Sequence, residues 1–315
     1  RGCTTLCQRV RWWTAGTTTA ASSPLERLLA SATPGLDQEP SSQAIATGSP
    51  WLFYDNDGSY KHYFDWVPRR LRVGPWSPGT WLFFVLYFAG LVICSPDSAL
   101  PAGVTLPPFS PSWWADAAVF TWGAFVLGVI ISRGHVLPIT CSFTGWSWII
   151  LTLRAGFSTA GTLLHSPLLQ WSGEALRFAA LSQATVTFFV WNFVLLPVLL
   201  TFTFEGRPTR KAEFINWNFS FVLIQIHIVN LPMALTNNAF GNGRRPFIAA
   251  DAYVSGVILF CYAMFYFFFL DRCGVHLYPI FSPRSHFSFF AYSALFCIYY
   301  ALFVNANRWL ESSLV

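Results

Sequence analysis

Charge is what this sequence has least of. Among 315 residues there are 19 Lys or Arg and 14 Asp or Glu, about a tenth of the chain, against roughly a quarter in ordinary soluble domains. A soluble fold of this size, whose surface would need that charge, is excluded. A net charge of +5 spread so thinly also excludes a phosphate-tracking nucleic-acid surface. The mean hydropathy of +0.46 excludes a disordered chain.

The familiar signatures of chemistry are missing too. No P-loop, GxGxxG, HExxH or GxSxG occurs, and nothing repeats at a fixed period. The seven cysteines (3, 7, 94, 141, 261, 273 and 297) are odd in number, and all but the first two are scattered, several within apolar runs where Cys acts as a small hydrophobe. They encode neither a disulfide framework nor a zinc site. No metal and no cofactor is expected.

What the chain has instead is apolar length. Hydrophobic residues make up 54% of it and aromatic residues 18%, so the solvent for most of the chain is lipid. From Trp81 onward, runs of the length that a helix needs to cross about 30 Å of hydrocarbon alternate with breaks rich in Pro, Gly and charge. Seven such runs are expected: Trp81 to Ser95, Trp114 to Ser132, Phe143 to Leu164, Phe178 to Phe204, Phe214 to Leu235, Ala252 to Leu270 and Phe287 to Val304. The fold class is therefore all-α, a polytopic transmembrane helix bundle of six or seven spans over residues 81–315. The first of these runs is short.

Residues 1–80 read differently. Pro24, Pro34, Pro40, Pro50, Pro68, Pro75 and Pro78 punctuate a polar stretch with too few clustered apolar residues to order itself. It is expected to be an arm held by other subunits. Arg1, Arg9, Arg11 and Arg27 lie among Ser, Thr and Ala with no acid before Glu26, a composition that suits a transit peptide or its remnant and points to an organelle, the mitochondrial inner membrane first. With the N-terminus on the matrix side, the arm, Arg133, Arg207, Arg210, Lys211, Arg272 and Arg284 put fourteen cationic side chains there. Arg177, Arg244, Arg245 and Arg308 put four opposite, which is the asymmetry the positive-inside rule favours. The C-terminus is expected on the far side.

Ionisable groups inside a bilayer are costly enough that each is a functional candidate in need of a partner. Arg154 lies in the third run and His227 near the middle of the fifth. Arg154 also fits a snorkelling side chain, and His227 a neutral imidazole bonded between helices. Thr152, two residues before Arg154, by itself suggests only a hydroxyl bonded to a carbonyl one turn back. It becomes a nucleophile only with a base in reach. In the expected topology the two runs are parallel, with Thr152 and His227 at depths of roughly 14 and 20 Å.

Three stretches, in order, carry a resemblance: Gly145-Trp146-Ser147-Trp148-Ile149-Ile150-Leu151-Thr152, then His227-Ile228-Val229-Asn230-Leu231-Pro232, then Gly274-Val275-His276-Leu277-Tyr278-Pro279. Over about residues 114–308 the chain resembles the androgen-induced membrane protein family, intramembrane threonine hydrolases of fatty acid esters of hydroxy fatty acids. The resemblance implies a Thr nucleophile at Thr152 and a His base at His227, with Asn230, Asn192 or Arg154 as nearby donors for an oxyanion. Against the family's six spans and short N-terminus, this chain adds an arm and an extra apolar run.

Two functions follow. One is an accessory subunit of a large organellar membrane complex, derived from that family, with its arm on partner subunits, lipids around it and no nucleic acid. The alternative is an active threonine/histidine lipid ester hydrolase, its substrate entering sideways from the bilayer. Haem binding would need paired histidines on facing spans. His165 at a span end and His227 near mid-depth are poorly placed for it.

Overall fold

A computed structural model describes residues 77–96, 107–134, 136–198, 200–201, 208–241, 245–270, 278, 281, 283 and 288–314. The arm expected over residues 1–80, with its outward contacts, lies almost wholly outside these. The regular structure of the described residues is helical throughout, without a strand. In chain order the helices are α1 Pro78–Ile93, α2 Pro111–Ser132, α3 Val136–Cys141, α4 Phe143–Leu163, α5 Pro167–Ala175, α6 Arg177–Phe189, α7 Pro208–Asn218, α8 Phe221–Ile224, α9 Asn230–Phe240, α10 Ala249–Phe265 and α11 Ser288–Leu314. Three π-helical segments interrupt them: Val190–Leu195 after α6, Gln225–Val229 between α8 and α9, and Tyr266–Leu270 after α10.

Four stretches are long and apolar enough to cross a membrane: Pro111–Ser132, Pro167–Leu195, Ala249–Leu270 and Ser288–Arg308. The pair Lys211–Asn218 and Phe221–Phe240 makes a fifth if counted as one broken span. The fifth run, expected as continuous from Phe214 to Leu235, thus breaks at Phe219 and Ser220. The first run is an apolar helix of 16 residues, and the third is the 21-residue α4, diluted by Arg154 and by its Thr, Ser and Gly.

The chain divides into two compact units. The described residues of the smaller are 77–80, 198, 200–201, 208–220, 266–270, 278, 281, 283 and 288. There the Ser77 amide and the Thr80 hydroxyl both donate to the Pro283 carbonyl, at 2.8 and 3.0 Å, and Thr80 Oγ1 lies 2.5 Å from Ser288 Oγ. The larger comprises residues 81–197, 221–265 and 289–315 and holds every candidate residue.

In the larger unit, helix ends are built by local chemistry. Ser110 accepts the Trp113 amide as the N-cap of α2, Pro111 takes the first helical position, and Phe109 just outside packs on Trp113 and Trp114. This is a capping residue with a hydrophobic staple, and it holds Phe109 at a φ of 64°. Ser142 caps α4 through the Gly145 amide. At the other end of α4, His165 adopts a φ of 49° while the Ser166 amide reaches back to the Gly161 carbonyl, the six-to-one bond of a left-handed C-terminal cap.

The burial pattern is inverted relative to a soluble domain. Large apolar side chains such as Phe125, Ile131, Phe193 and Phe290 are exposed, whereas Asp116, Arg154, Arg177, Asn230, Asn237 and Asp251 are buried at 1% exposure or less. That inversion is what a hydrocarbon solvent selects. It is compatible with an integral membrane protein. Between the helices sit small residues, with Ala155, Ala179, Ala180, Ala184 and Ala234 fully buried in the core cluster, which lets backbones approach where lipid supplies no hydrophobic drive.

The closest approach of α2 to α4 rests on Gly123. A Cβ there would lie 2.4 Å from Thr152 Oγ1, whereas one at Gly128 would meet nothing within 4 Å. Gly123→Ala should therefore lower the unfolding midpoint in detergent, the clash of about 1–3 kcal/mol outweighing a gain of about 1 kcal/mol in helix propensity. Gly128→Ala should leave the midpoint level or raise it, and Thr152→Ala should rescue Gly123→Ala. Equal effects at the two glycines would show that the α2–α4 contact is not tight.

Candidate functional site

Thr152 is in the middle of α4, buried, with its hydroxyl donating to the Trp148 carbonyl at 2.8 Å. A hydroxyl in an apolar helix satisfies itself this way when no better acceptor is near. One turn earlier, the indole of fully buried Trp148 donates to the Gly123 carbonyl at 3.2 Å. Trp148, Thr152 and Gly123 together form the α2–α4 contact.

His227 is set by a proline. Pro232 has no N–H for the Ile228 carbonyl four residues back, and its ring crowds that turn. The backbone relaxes into the wider π pattern, in which the Asn230 amide bonds to the Gln225 carbonyl. In that pattern the His227 carbonyl would also wait on residue 232, which cannot donate. Asn192 supplies the missing donor, its Nδ2 lying 3.2 Å from the His227 carbonyl oxygen. Asn192 is itself in a π segment that ends just before Pro197. Beside it, Trp191 stacks on the His227 imidazole, with centroids 4.0 Å apart and planes 8° from parallel.

Asn230 is fully buried and donates to Ser147 Oγ at 2.9 Å. Arg154 Nη1 donates to the Asn237 carbonyl at 3.0 Å. Both ties join α4 to α9, and the two partners in each helix stand seven residues apart in the same order, so the helices run parallel. Thr152 lies five residues past the first tie, and His227 three residues before it. Those eight residues amount to on the order of 10 Å along the axis. No hydrogen bond joins the two side chains. His227 is thus brought together with Trp191 and Asn192, while Thr152 is brought together with Gly123 and Trp148.

Arg154 has a partner that the sequence reading passed over. Asp116, fully buried on α2, lies 3.6 Å from Arg154 Nη1 and accepts from Ser158 Oγ and Asn237 Nδ2, each at 2.5 Å. Gly241 closes this cluster: a Cβ there would stand within 3 Å of both the Asp116 carboxylate and the Asn237 carbonyl. Arg154 is therefore committed to an internal charge network, neither snorkelling nor aimed at Thr152.

A second charged group ties α5 and α6 to the start of α10. Arg245 makes a fork-to-fork pair with buried Asp251, at 2.7 and 2.9 Å, and its Nη2 lies 3.3 Å from Glu174. Arg177 is fully buried, sits 3.7 Å from Glu174, donates to the Arg245 carbonyl and lies 4.4 Å over the Phe247 ring. Burial alone would pull the Arg245 guanidinium down. The hydrogen bonds and charges of Asp251 and Glu174 outweigh it and hold the pKa above the ordinary arginine value. Asp251 also accepts the Ile248 amide at 2.8 Å, capping α10.

Among the described residues no three His, Cys, Asp or Glu side chains gather as a metal site. No family model, curated protein or solved structure is similar enough to the chain to match it. What the site offers chemically therefore rests on its own geometry.

Removing one member of a buried ion pair strands the other charge, at a cost of about 3–5 kcal/mol. Asp116→Ala should accordingly cost more stability than Asp116→Ala combined with Arg154→Met, in which both charges are gone. Thermal unfolding of the two variants and of Arg154→Met alone closes the cycle. Additive losses would mean that the 3.6 Å approach carries no coupling.

Proposed function

We propose that the chain is a non-hydrolytic accessory subunit of a membrane assembly, built on the helical bundle of the androgen-induced membrane protein family. The observation that carries this reading is the state of Thr152: its hydroxyl is donated to Trp148, its side chain is seated on Gly123, and His227 is stacked on Trp191 with no bond between them. In this role Thr152 is a packing residue and His227 shapes a helix bend. The apolar outer face adds support. On α1 alone Trp81, Leu82, Val85, Leu86, Phe88, Val92 and Ile93 are exposed, and a helix of 16 residues is short for a span on its own and better suited to packing against neighbours.

The finer parts of the proposal come from the sequence. The bundle has six or seven spans and is housed in the mitochondrial inner membrane. Its N-terminus is on the matrix side, its C-terminus is opposite, and residues 1–80 are laid over partner subunits. The arginine-rich, acid-poor start and the asymmetry of Lys and Arg support this arrangement.

A second reading keeps the hydrolase. It is favoured by one observation: His227 lies in a π-helical segment, and such segments are frequent at functional sites. In that reading the Thr152 hydroxyl leaves Trp148 and, with His227 as base, attacks a lipid ester carbonyl. Asn230, Asn192 or Arg154 would stabilise the oxyanion.

The two readings separate experimentally. The assembled subunit, purified in mild detergent, should migrate as part of a complex much larger than 35.4 kDa. It should hydrolyse lipid esters no faster than its Thr152→Ala and His227→Ala variants. Wild-type turnover that falls by roughly 100-fold or more in both variants, as expected when a nucleophile or its base is lost, would overturn the proposal in favour of the hydrolase.

A further inference from the structure

Several hydroxyls in the helices of the larger unit close on their own backbone. Thr152, Thr159, Ser172, Ser182 and Thr185 each donate to the carbonyl four residues back, the usual resolution for Ser or Thr in an apolar setting. Thr187 does not. It is 2% exposed and its Oγ1 has no hydrogen-bond partner among the described residues. One turn before it on the same face is Gln183, 1% exposed, whose Oε1 is likewise without a partner. One turn after it is Trp191, whose ring lies on His227, so this row of α6 faces the π segment and the start of α9.

The facing side carries two more such atoms. They are His227 Nδ1 in the π segment and Asn230 Oδ1 at the start of α9, in side chains 5% and 0% exposed, and the imidazole also reaches the Leu223 backbone. Two amide oxygens, an imidazole nitrogen and a hydroxyl on these packed segments are thus buried without satisfying one another. Buried polar atoms in native proteins are nearly always hydrogen-bonded, and in a hydrocarbon surrounding no solvent outside the bundle can serve them.

We infer that the seam between Gln183, Thr187, His227 and Asn230 is a binding site for a small O–H donor, either water or the free hydroxyl of a lipid. The lining sets the ligand chemistry. Both amide oxygens, and the imidazole nitrogen in its acceptor tautomer, require donors, and Thr187 both gives and takes a hydrogen bond. A charged headgroup has no counter-charge there, because the nearest ion pairs, Arg154 with Asp116 and Arg245 with Asp251, are already matched. The site goes beyond the subunit reading and holds whether or not Thr152 reacts, since it uses neither Thr152 nor an assembly partner.

The test is the sign of a stability change. Thr187→Val keeps the shape and removes the hydroxyl. In an occupied seam the variant loses hydrogen bonds, and its unfolding midpoint should fall by about 2 °C or more. In a dry seam it removes an unsatisfied group and should be neutral or stabilising. The full chain is measured in nanodiscs of phosphatidylcholine and in the same discs with monoolein. A fall of equal size in both discs assigns water. A wild-type midpoint that rises with monoolein, and a rise that Thr187→Val abolishes, assign a lipid hydroxyl. An unchanged or raised midpoint for Thr187→Val in both discs overturns the site. A high-resolution cryo-electron microscopy map of the wild type provides a check that needs no variant: density within hydrogen-bond distance of Thr187 Oγ1 supports the site, and an empty seam overturns it.

Discussion

A guanidinium in a hydrocarbon interior has to find an anion, and the packing of this bundle follows from Arg154 finding Asp116. The two residues are on different helices, α4 and α2, and the pair is closed from a third by Asn237 of α9. Once those three contacts are made, the rotation of each helix about its axis is nearly fixed. Gly123 then faces Thr152, Ser158 faces Asp116, and Ser147 faces Asn230. Apolar contacts alone would not choose this arrangement, because lipid tails compete for them on equal terms.

Two prolines impose the second constraint. Pro197 and Pro232 each follow a π-helical segment, and each removes a donor from a carbonyl that lipid cannot serve. The structure answers with a side chain, Asn192 on the His227 carbonyl, and with a stacked pair, Trp191 on His227. A helix with its full ladder of bonds would have turned His227 by a different angle and left the imidazole elsewhere. The histidine that motif reading offers as a base is therefore held, in the first instance, by the repair of a proline break.

Length and apolarity carried the all-helical class and four or five of the seven expected runs, since each helix that crosses lipid must satisfy its own backbone. They failed where length and apolarity part company. The run at Phe214 to Leu235 breaks at Phe219 and Ser220, and α4 is long enough yet polar. The site was less legible. Arg154 stood out because a lone cation in a run is conspicuous, whereas Asp116, only two residues into the run expected from Trp114, reads as a span-end charge. Pairing the two required the depth and rotation of both helices, which apolar length does not supply. The Leu-Pro dipeptides at 196–197 and 231–232 were the available signal for the π segments. Only the second entered the reading, as part of the stretch from His227 to Pro232.

The two polar regions of the larger unit differ in one physical respect that bears on what each can do. Around Asp116, Arg154, Glu174, Arg177, Arg245 and Asp251, three cations face three anions, Arg245 bridging Glu174 and Asp251, with further donors aimed at the carboxylates. Such a network is costly to rearrange and specifies one packing. Around Gln183, Thr187, His227 and Asn230 the groups are neutral and mutually unsatisfied, held in place by backbone repair and by a stacked ring. A matched charge network explains itself through the fold it fixes. A neutral one without internal partners calls for a partner from outside the chain, because a buried polar atom left bare costs more than an apolar group of the same shape.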